Sequence, residues 1–252
     1  MSSLIVPQWP APPAVCAVSS TRTGGVSQGS YSSLNLGAHV GDAPGAVAAN
    51  RRALIAAAGL PSEPQWLEQV HGTAVVCLDA VPTPLSAVPH AVARADAAWT
   101  TQPGVVCCVM TADCLPVVLC DAAGTRVGIA HAGWRGLAAG VIEATIAAMG
   151  SADLIAWLGP AISQAAYEVG AEVREACISA DAGAVGSFSA NARGRWQADL
   201  YALARRRLTR AGISRIFGGD FCTFADARRF FSHRREAPCG RMATMIWLAG
   251  PG

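Results

Sequence analysis

The sequence predicts an α+β fold in a single domain over residues 1–252, with mixed β-sheets and flanking helices. Three observations carry this. Strand-like apolar runs outnumber helical patterns and are interspersed with them; hydrophobic residues make up 52% of 252 residues, ample for a buried core; and no repeat, low-complexity linker or charge block divides the chain.

From the N-terminus, a proline-rich start gives way to SSTRTGGVSQGSYSSLNLGAHVGD (19–42), whose Gly, Ser, Thr and Asn content marks a long irregular segment. Asp42 is expected to cap a helix with Pro44 in its first turn, running through NRRALIAAAG and closing at Gly59 before Pro61. A second helix is expected after Trp134, with Leu137, Val141, Thr145 and Met149 on one face and a stop at Gly150. A third, Asp199 to Ala211, sets Leu200, Leu203, Ala204 and Leu208 opposite Arg205, Arg206 and Arg210, which read as a solvated face. Strands are expected at 74–81, 104–110, 115–120, 126–132, 155–160 and 244–249.

The net charge of +2 is too even a balance to predict a nucleic-acid or membrane surface. There is no lysine, which excludes a Schiff-base lysine, a pyridoxal phosphate anchor and a P-loop lysine. Nine irregularly spaced cysteines, mostly in apolar runs, fit reduced thiols and a reducing compartment. The N-terminus lacks a basic n-region, so no signal peptide is expected. The most apolar window, Val105 to Cys120, falls short of the roughly 20 apolar residues a membrane helix needs. A cytoplasmic protein with no membrane or nucleic-acid partner is the expectation.

Chemistry concentrates in MTADCLPVVLCDAAGTRVGIAHAGWRG (110–136). DAAG reads as a tight turn between two strands, and a turn centred between Ala122 and Ala123 sets Cys114 directly opposite His131, with Cβ atoms about 4.5–5.5 Å apart. A thiolate and an imidazole so placed can share a metal ion or a proton. The competing reading is a buried small hydrophobe and a core histidine. His71, in WLEQVHGTAV, is a third candidate; its convergence would complete a Cys-His-His set with one position open, as in catalytic zinc. Such a zinc acidifies a bound water and polarises a substrate oxygen. The same donors suit a blue-copper site with Met110 as axial ligand. The five histidines, His39, His71, His90, His131 and His233, include no His-x-His, so a trinuclear copper cluster cannot be assembled within one subunit.

Together SSTRTGGVSQGSYSSLNLGAHVGD, NRRAL, WLEQVHG, ADAAWT, MTADCLPVVLCD, GIAHAGWRGL, WLGPAI and CGRMATMIWL resemble the laccase-domain, or polyphenol oxidase, family over roughly residues 16 to 249. The resemblance implies a single-domain fold similar to the catalytic domain of cytotoxic necrotizing factor. It also implies a mononuclear zinc site at His71, Cys114 and His131. Members are described as purine nucleoside phosphorylases acting on adenosine, inosine or methylthioadenosine, with adenosine deaminase activity. Others are named copper polyphenol oxidases or a peptidoglycan editing factor. Motif positions carry over Arg22, Asn35, Arg51 and Gln69 as substrate contacts, Arg51 being the preferred phosphate ligand because its planar fork suits oxyanions. Asp113 carries over as a proton carrier beside Cys114. FFSHRREAPCGR departs from the family's more usual YSYRR pattern at Phe231 and His233, while Arg234 stays in place.

The leading expectation is therefore a monomeric, zinc-dependent purine nucleoside phosphorylase and adenosine deaminase, taking a purine nucleoside and phosphate as small-molecule substrates. A metal-free hydrolase with Cys114 as nucleophile and His131 as base, acting on a peptidoglycan precursor, is the second. Copper-dependent phenol oxidation is the third.

Overall fold

A computed structural model describes residues 4–80, 92–151 and 153–250; His90 and the last residue of the strand expected at 74–81 lie outside them. The chain folds as an α+β unit of layered sheets and helices. Two larger sheets lie face to face. One is four-stranded, in the order β1 (Leu4–Ile5), β2 (Val15–Ser20), β13 (Met242–Leu248), β5 (Cys107–Thr111). The other is six-stranded, in the order β12 (Arg215–Gly218), β8 (Leu154–Leu158), β6 (Leu115–Asp121), β7 (Val127–Ala132), β4 (Ala97–Thr100), β3 (Val75–Cys77). A small sheet joins β10 (Phe188–Ala190), β11 (Trp196–Ala198) and β9 (Glu168–Val169).

The alternation of side chains along each strand divides the core between the faces of the sheets. From β6, Val118 and Cys120 meet Cys107 and Val109 of β5 and Ile246 of β13 between the sheets. Val117 and Leu119 point to the opposite face. There they meet helices α2 (Trp134–Ala139), α3 (Val141–Met149), α4 (Ala171–Ala180) and α5 (Leu200–Arg210). The outer face of the four-stranded sheet, through Val18, Cys108 and Met245, is covered by Leu54 of α1 (Pro44–Ala58). Strands buried on both faces read as the continuous apolar runs seen in the sequence.

Several expectations shift. Helix α1 begins after Ala43, not at an Asp42 cap; the Asp42 carboxylate instead accepts hydrogen bonds from Ser27 Oγ (2.6 Å) and Asn35 Nδ2 (2.9 Å), bracing the irregular segment. The expected second helix is two, because Gly140 adopts φ +96°, a left-handed conformation that ends α2 and starts α3. Asp199 does cap α5, accepting from the Ala202 N–H at 2.9 Å. Its arginines do face solvent and are tied down there: Arg206 and Arg210 pair with Asp181 at the end of α4, and Arg205 donates to the Ile216 and Gly218 carbonyls of β12.

The β6–β7 hairpin exists in a different register. Asp121 accepts from the Thr125 N–H (2.7 Å) and the Arg126 N–H (3.0 Å), which lengthens the turn and pairs His131 with Pro116, not Cys114. A slip of two residues preserves the face, since side chains alternate with period two. Cys114, just before β6, therefore becomes a diagonal neighbour of His131.

Candidate metal centre

The start of β4, the start of β6 and the end of β7 meet at one end of the six-stranded sheet, because β7 runs antiparallel to both neighbours. Asp96 immediately precedes β4, Cys114 immediately precedes β6 and His131 lies on β7. His71 arrives from the loop ahead of β3 with φ +62°. The donor atoms of His71, Cys114 and His131 all lie within 4.8 Å of one another. Cys114 Sγ and His71 Nε2 are 3.8 Å apart, and the two imidazole rings pack edge to face at 4.7 Å.

A fully buried carboxylate sets this geometry. Asp96 accepts from the His71 N–H at 2.9 Å and the Gly72 N–H at 2.6 Å, holding His71 in a left-handed backbone that is uncommon for residues other than glycine. Its Oδ1 also lies 2.8 Å from His131 Nδ1. A carboxylate can only accept, so Nδ1 carries the proton and Nε2 is the atom left free to bind a metal. Burial acts to raise the Asp96 carboxyl, and is outweighed by hydrogen bonds from His131 and from the Gly72 and His71 amides, which hold it below the usual carboxylate range. Gly133 completes the packing: a Cβ there would sit 2.9 Å from Cys114 Sγ and 3.1 Å from His71 Cδ2.

Burial also acts to raise the Cys114 thiol, but the charge and hydrogen bond of His131, then those of His71, pull it down to about 6. His131 moves the other way: burial lowers it, and the Cys114 thiolate and the Asp96 carboxylate raise it to about 9. The pair favours thiolate and imidazolium, the charge separation that a metal ion replaces when it displaces the imidazolium proton. Two imidazoles and a thiolate with an open side are a donor set suited to zinc or copper.

A cavity of about 320 Å³ opens over these three residues and is also lined by Gln69, Met110, Arg135 and Arg241. Gln69 is held at both ends of its amide by the backbone of Met110, donating to the carbonyl and accepting from the N–H at 2.8 Å each. Asp113 adopts φ +93°, and both its oxygens are taken, by Thr223 Oγ1 (2.6 Å), Ser232 Oγ (3.0 Å) and the Arg234 N–H (2.7 Å). It anchors the 223–234 segment to the residue before Cys114.

Among the described residues, Arg22, Asn35 and Arg51 do not line the cavity. Arg22 donates to the Ser32 and Ala227 carbonyls and lies over the Phe231 ring. Asn35 bridges Gly37, Asp42 and the Arg241 N–H. Arg51 donates to the Leu36 carbonyl and stacks on Trp66 at 3.9 Å. Sequence reasoning missed Asp96, whose signal was a lone carboxylate in the apolar run ADAAWT, and the wall residues His39, Arg135, His233 and Arg241.

The family described as multi-copper polyphenol oxidoreductase laccase matches residues 16–249. A purine nucleoside phosphorylase named YfiH from Escherichia coli K12 is 54% identical over 250 residues, covering 98% of this chain and 100% of that protein. A Pseudomonas aeruginosa purine nucleoside phosphorylase is 52% identical over 251 residues, covering 98% and 99%. Among solved structures, a Neisseria meningitidis protein superposes with a TM-score of 0.92 at 47% identity, covering 98% of this chain and 100% of its own. YlmD from Geobacillus stearothermophilus does so at 0.83 and 30% identity, covering 94% and 93%.

Proposed function

This chain belongs to the multi-copper polyphenol oxidoreductase laccase family, and from that membership we propose that it is a zinc-dependent purine nucleoside phosphorylase that also deaminates adenosine. The observation that carries the reading is the convergence of His71, Cys114 and His131 beneath an open cavity. Relatives named purine nucleoside phosphorylase, sharing 54% and 52% of their residues, support the substrate class.

His71 Nε2, Cys114 Sγ and His131 Nε2 would hold the metal, which when bound supplies Lewis-acid polarisation and acidification of water. Asp96 keeps the proton on His131 Nδ1 and orients the ring. Asp113 is a positioning residue, since its committed oxygens hold the segment against Cys114. The cavity volume of about 320 Å³ falls at the lower end of small-molecule sites, about 300–1,000 Å³. Nine free cysteines are compatible with a reducing cytoplasm, the compartment we assign; among the described residues no helix is long and apolar enough to cross a membrane.

The test is metal analysis of the purified protein with chromatography of adenosine, inosine and methylthioadenosine incubations, with and without phosphate. Phosphate-dependent release of adenine and hypoxanthine, and inosine formed from adenosine, are expected. Absence of these products retires the assignment.

A second reading is favoured by one observation, the depressed Cys114 thiol beside a raised His131. In that reading Cys114 would be the thiolate nucleophile of a metal-free hydrolase acting on a peptidoglycan precursor, and His131, already holding the thiol's proton, would pass it to the leaving group. Hydrolysis that survives complete chelation selects it. Copper-dependent phenol oxidation would show itself by intense visible absorption with one copper per chain.

A further inference from the structure

The cavity walls carry cationic groups that the metal reading leaves unused. Arg135 and Arg241 line the cavity beside His39 and His233, and no Asp or Glu is among the described residues that line it. Arg135 is exposed, with its guanidinium 4.3 Å from the Trp134 ring centroid and, among the described residues, no ion pair or hydrogen bond to its side chain. Arg241 commits Nη1 to the Cys239 and Gly240 carbonyls, while Nε and Nη2 have no acceptor among the described residues. His39 registers the resulting field: burial lowers its basicity first, and the charges of Arg241 and Arg51 lower it further.

We propose that Arg135 and Arg241, with His39 and His233 beside them, form a phosphate-binding subsite over the His71–Cys114–His131 group. A divalent metal with one thiolate ligand keeps a net positive charge, and two guanidinium groups on the walls add to it with no carboxylate to offset them. A phosphate dianion answers that imbalance, and its oxygens suit the planar guanidinium fork. The Arg51 fork, by contrast, is occupied by the Leu36 carbonyl. His233, where the resembling family more usually has tyrosine, gives this chain a further nitrogen donor on the wall. The inference rests on the proposed function for its metal, but the subsite holds a phosphate group whether it arrives as free phosphate or as a phosphate ester.

The test is calorimetric titration of the metal-loaded protein with inorganic phosphate, with adenosine 5′-monophosphate and with adenosine. Wild type, Arg135→Gln, Arg241→Gln and, as a control on the exposed face of α1, Arg52→Gln are compared. Losing one charge-assisted contact is expected to weaken phosphate binding roughly tenfold or more in the first two variants and not in the control. Arg135→Gln keeps the test secure, because its side chain holds no other element in place. Equal phosphate affinity in wild type and Arg135→Gln overturns the proposal, and so does the absence of binding by both phosphate and the monophosphate. Arginine-dependent binding of free phosphate identifies the co-substrate as the source; tighter arginine-dependent binding of the monophosphate than of adenosine identifies an ester; both support the subsite. Arginine-dependent binding without nucleoside cleavage sinks the phosphorylase reading and leaves the subsite standing. Cleavage with arginine-independent phosphate binding does the reverse.

Discussion

Asp96 Oδ1 accepts from His131 Nδ1 at 2.8 Å and from the His71 N–H at 2.9 Å, so a single carboxylate oxygen orients two of the three metal-binding candidates. Asp96→Asn keeps the shape but offers only one acceptor oxygen. Its amide NH₂ must then face either the Gly72 N–H or the His131 Nδ1–H. Metal affinity is expected to fall about 10–100-fold, the usual cost of losing an outer partner of a ligating histidine. Competition against a chromophoric chelator measures it, and an unchanged affinity would contradict the positioning role.

Gly133 separates metal loading from folding. It sits in an extended conformation at φ −67°, which alanine adopts without strain, yet a Cβ there meets Cys114 Sγ at 2.9 Å. Gly133→Ala is expected to keep the circular dichroism spectrum and cooperative unfolding of the wild type. Its added methyl group pushes the thiol out of line with the histidines. Metal content per chain should drop well below that of the wild type, and a fully loaded variant would show that the site has more room than the structure gives it.

The hairpin shows what the sequence pattern could and could not convey. Alternation along LPVVLCD and VGIAHA places Cys114 and His131 on one face, and that survives the change of register. The register depends on Asp121 capturing the Thr125 and Arg126 amides, a turn choice the string DAAGTR does not announce. Gly140 escaped notice for a related reason: Leu137, Val141 and Thr145 keep helical spacing across a left-handed residue. Helix α4 was missed because only Val173 and Cys177 are buried along it, too sparse a stripe to register. Strand β4 was missed because AAWT is half alanine, a weak strand former. Asp96 lay hidden in that same run. The arginines were assigned by type, and type alone does not say whether a carbonyl already occupies the fork, as Leu36 does for Arg51.

Asp113 illustrates a residue whose neighbours in space decide its role. Its carboxylate receives Thr223, Ser232 and the Arg234 N–H while its backbone is held at φ +93°. Asp113→Ala strands the buried Thr223 and Ser232 hydroxyls, each at roughly 1–3 kcal/mol, and leaves the more exposed Arg234 N–H to water, so a loss of at least about 2 kcal/mol is expected. Asp113→Asn tolerates the left-handed backbone better and retains one acceptor, so it should fall between alanine and the wild type. Urea denaturation provides the ranking. Equal stability of all three proteins would show that the 223–234 segment is held by other contacts.

Asp181 supplies the pH dependence of stability. Hydrogen bonds from Arg206 hold its carboxyl well below the usual carboxylate range; burial opposes them, and Arg210 and the Gly183 N–H add to the depression. The folded value lies below the unfolded one of about 3.9, so the contribution is complete above about pH 4 and is lost as pH falls through the folded value. Wild type and Asp181→Asn should therefore differ in Tm by a constant amount from about pH 5 to pH 8, and the difference should shrink steadily below about pH 4. Both arginines are partly exposed, with side chains 38% and 53% accessible, so solvent screening limits the size of the effect and added salt should reduce it at neutral pH. A difference that grows on acidification would mean that Asp181 is stabilised in its protonated form, contrary to the hydrogen bonds it accepts from Arg206 and from the Gly183 N–H.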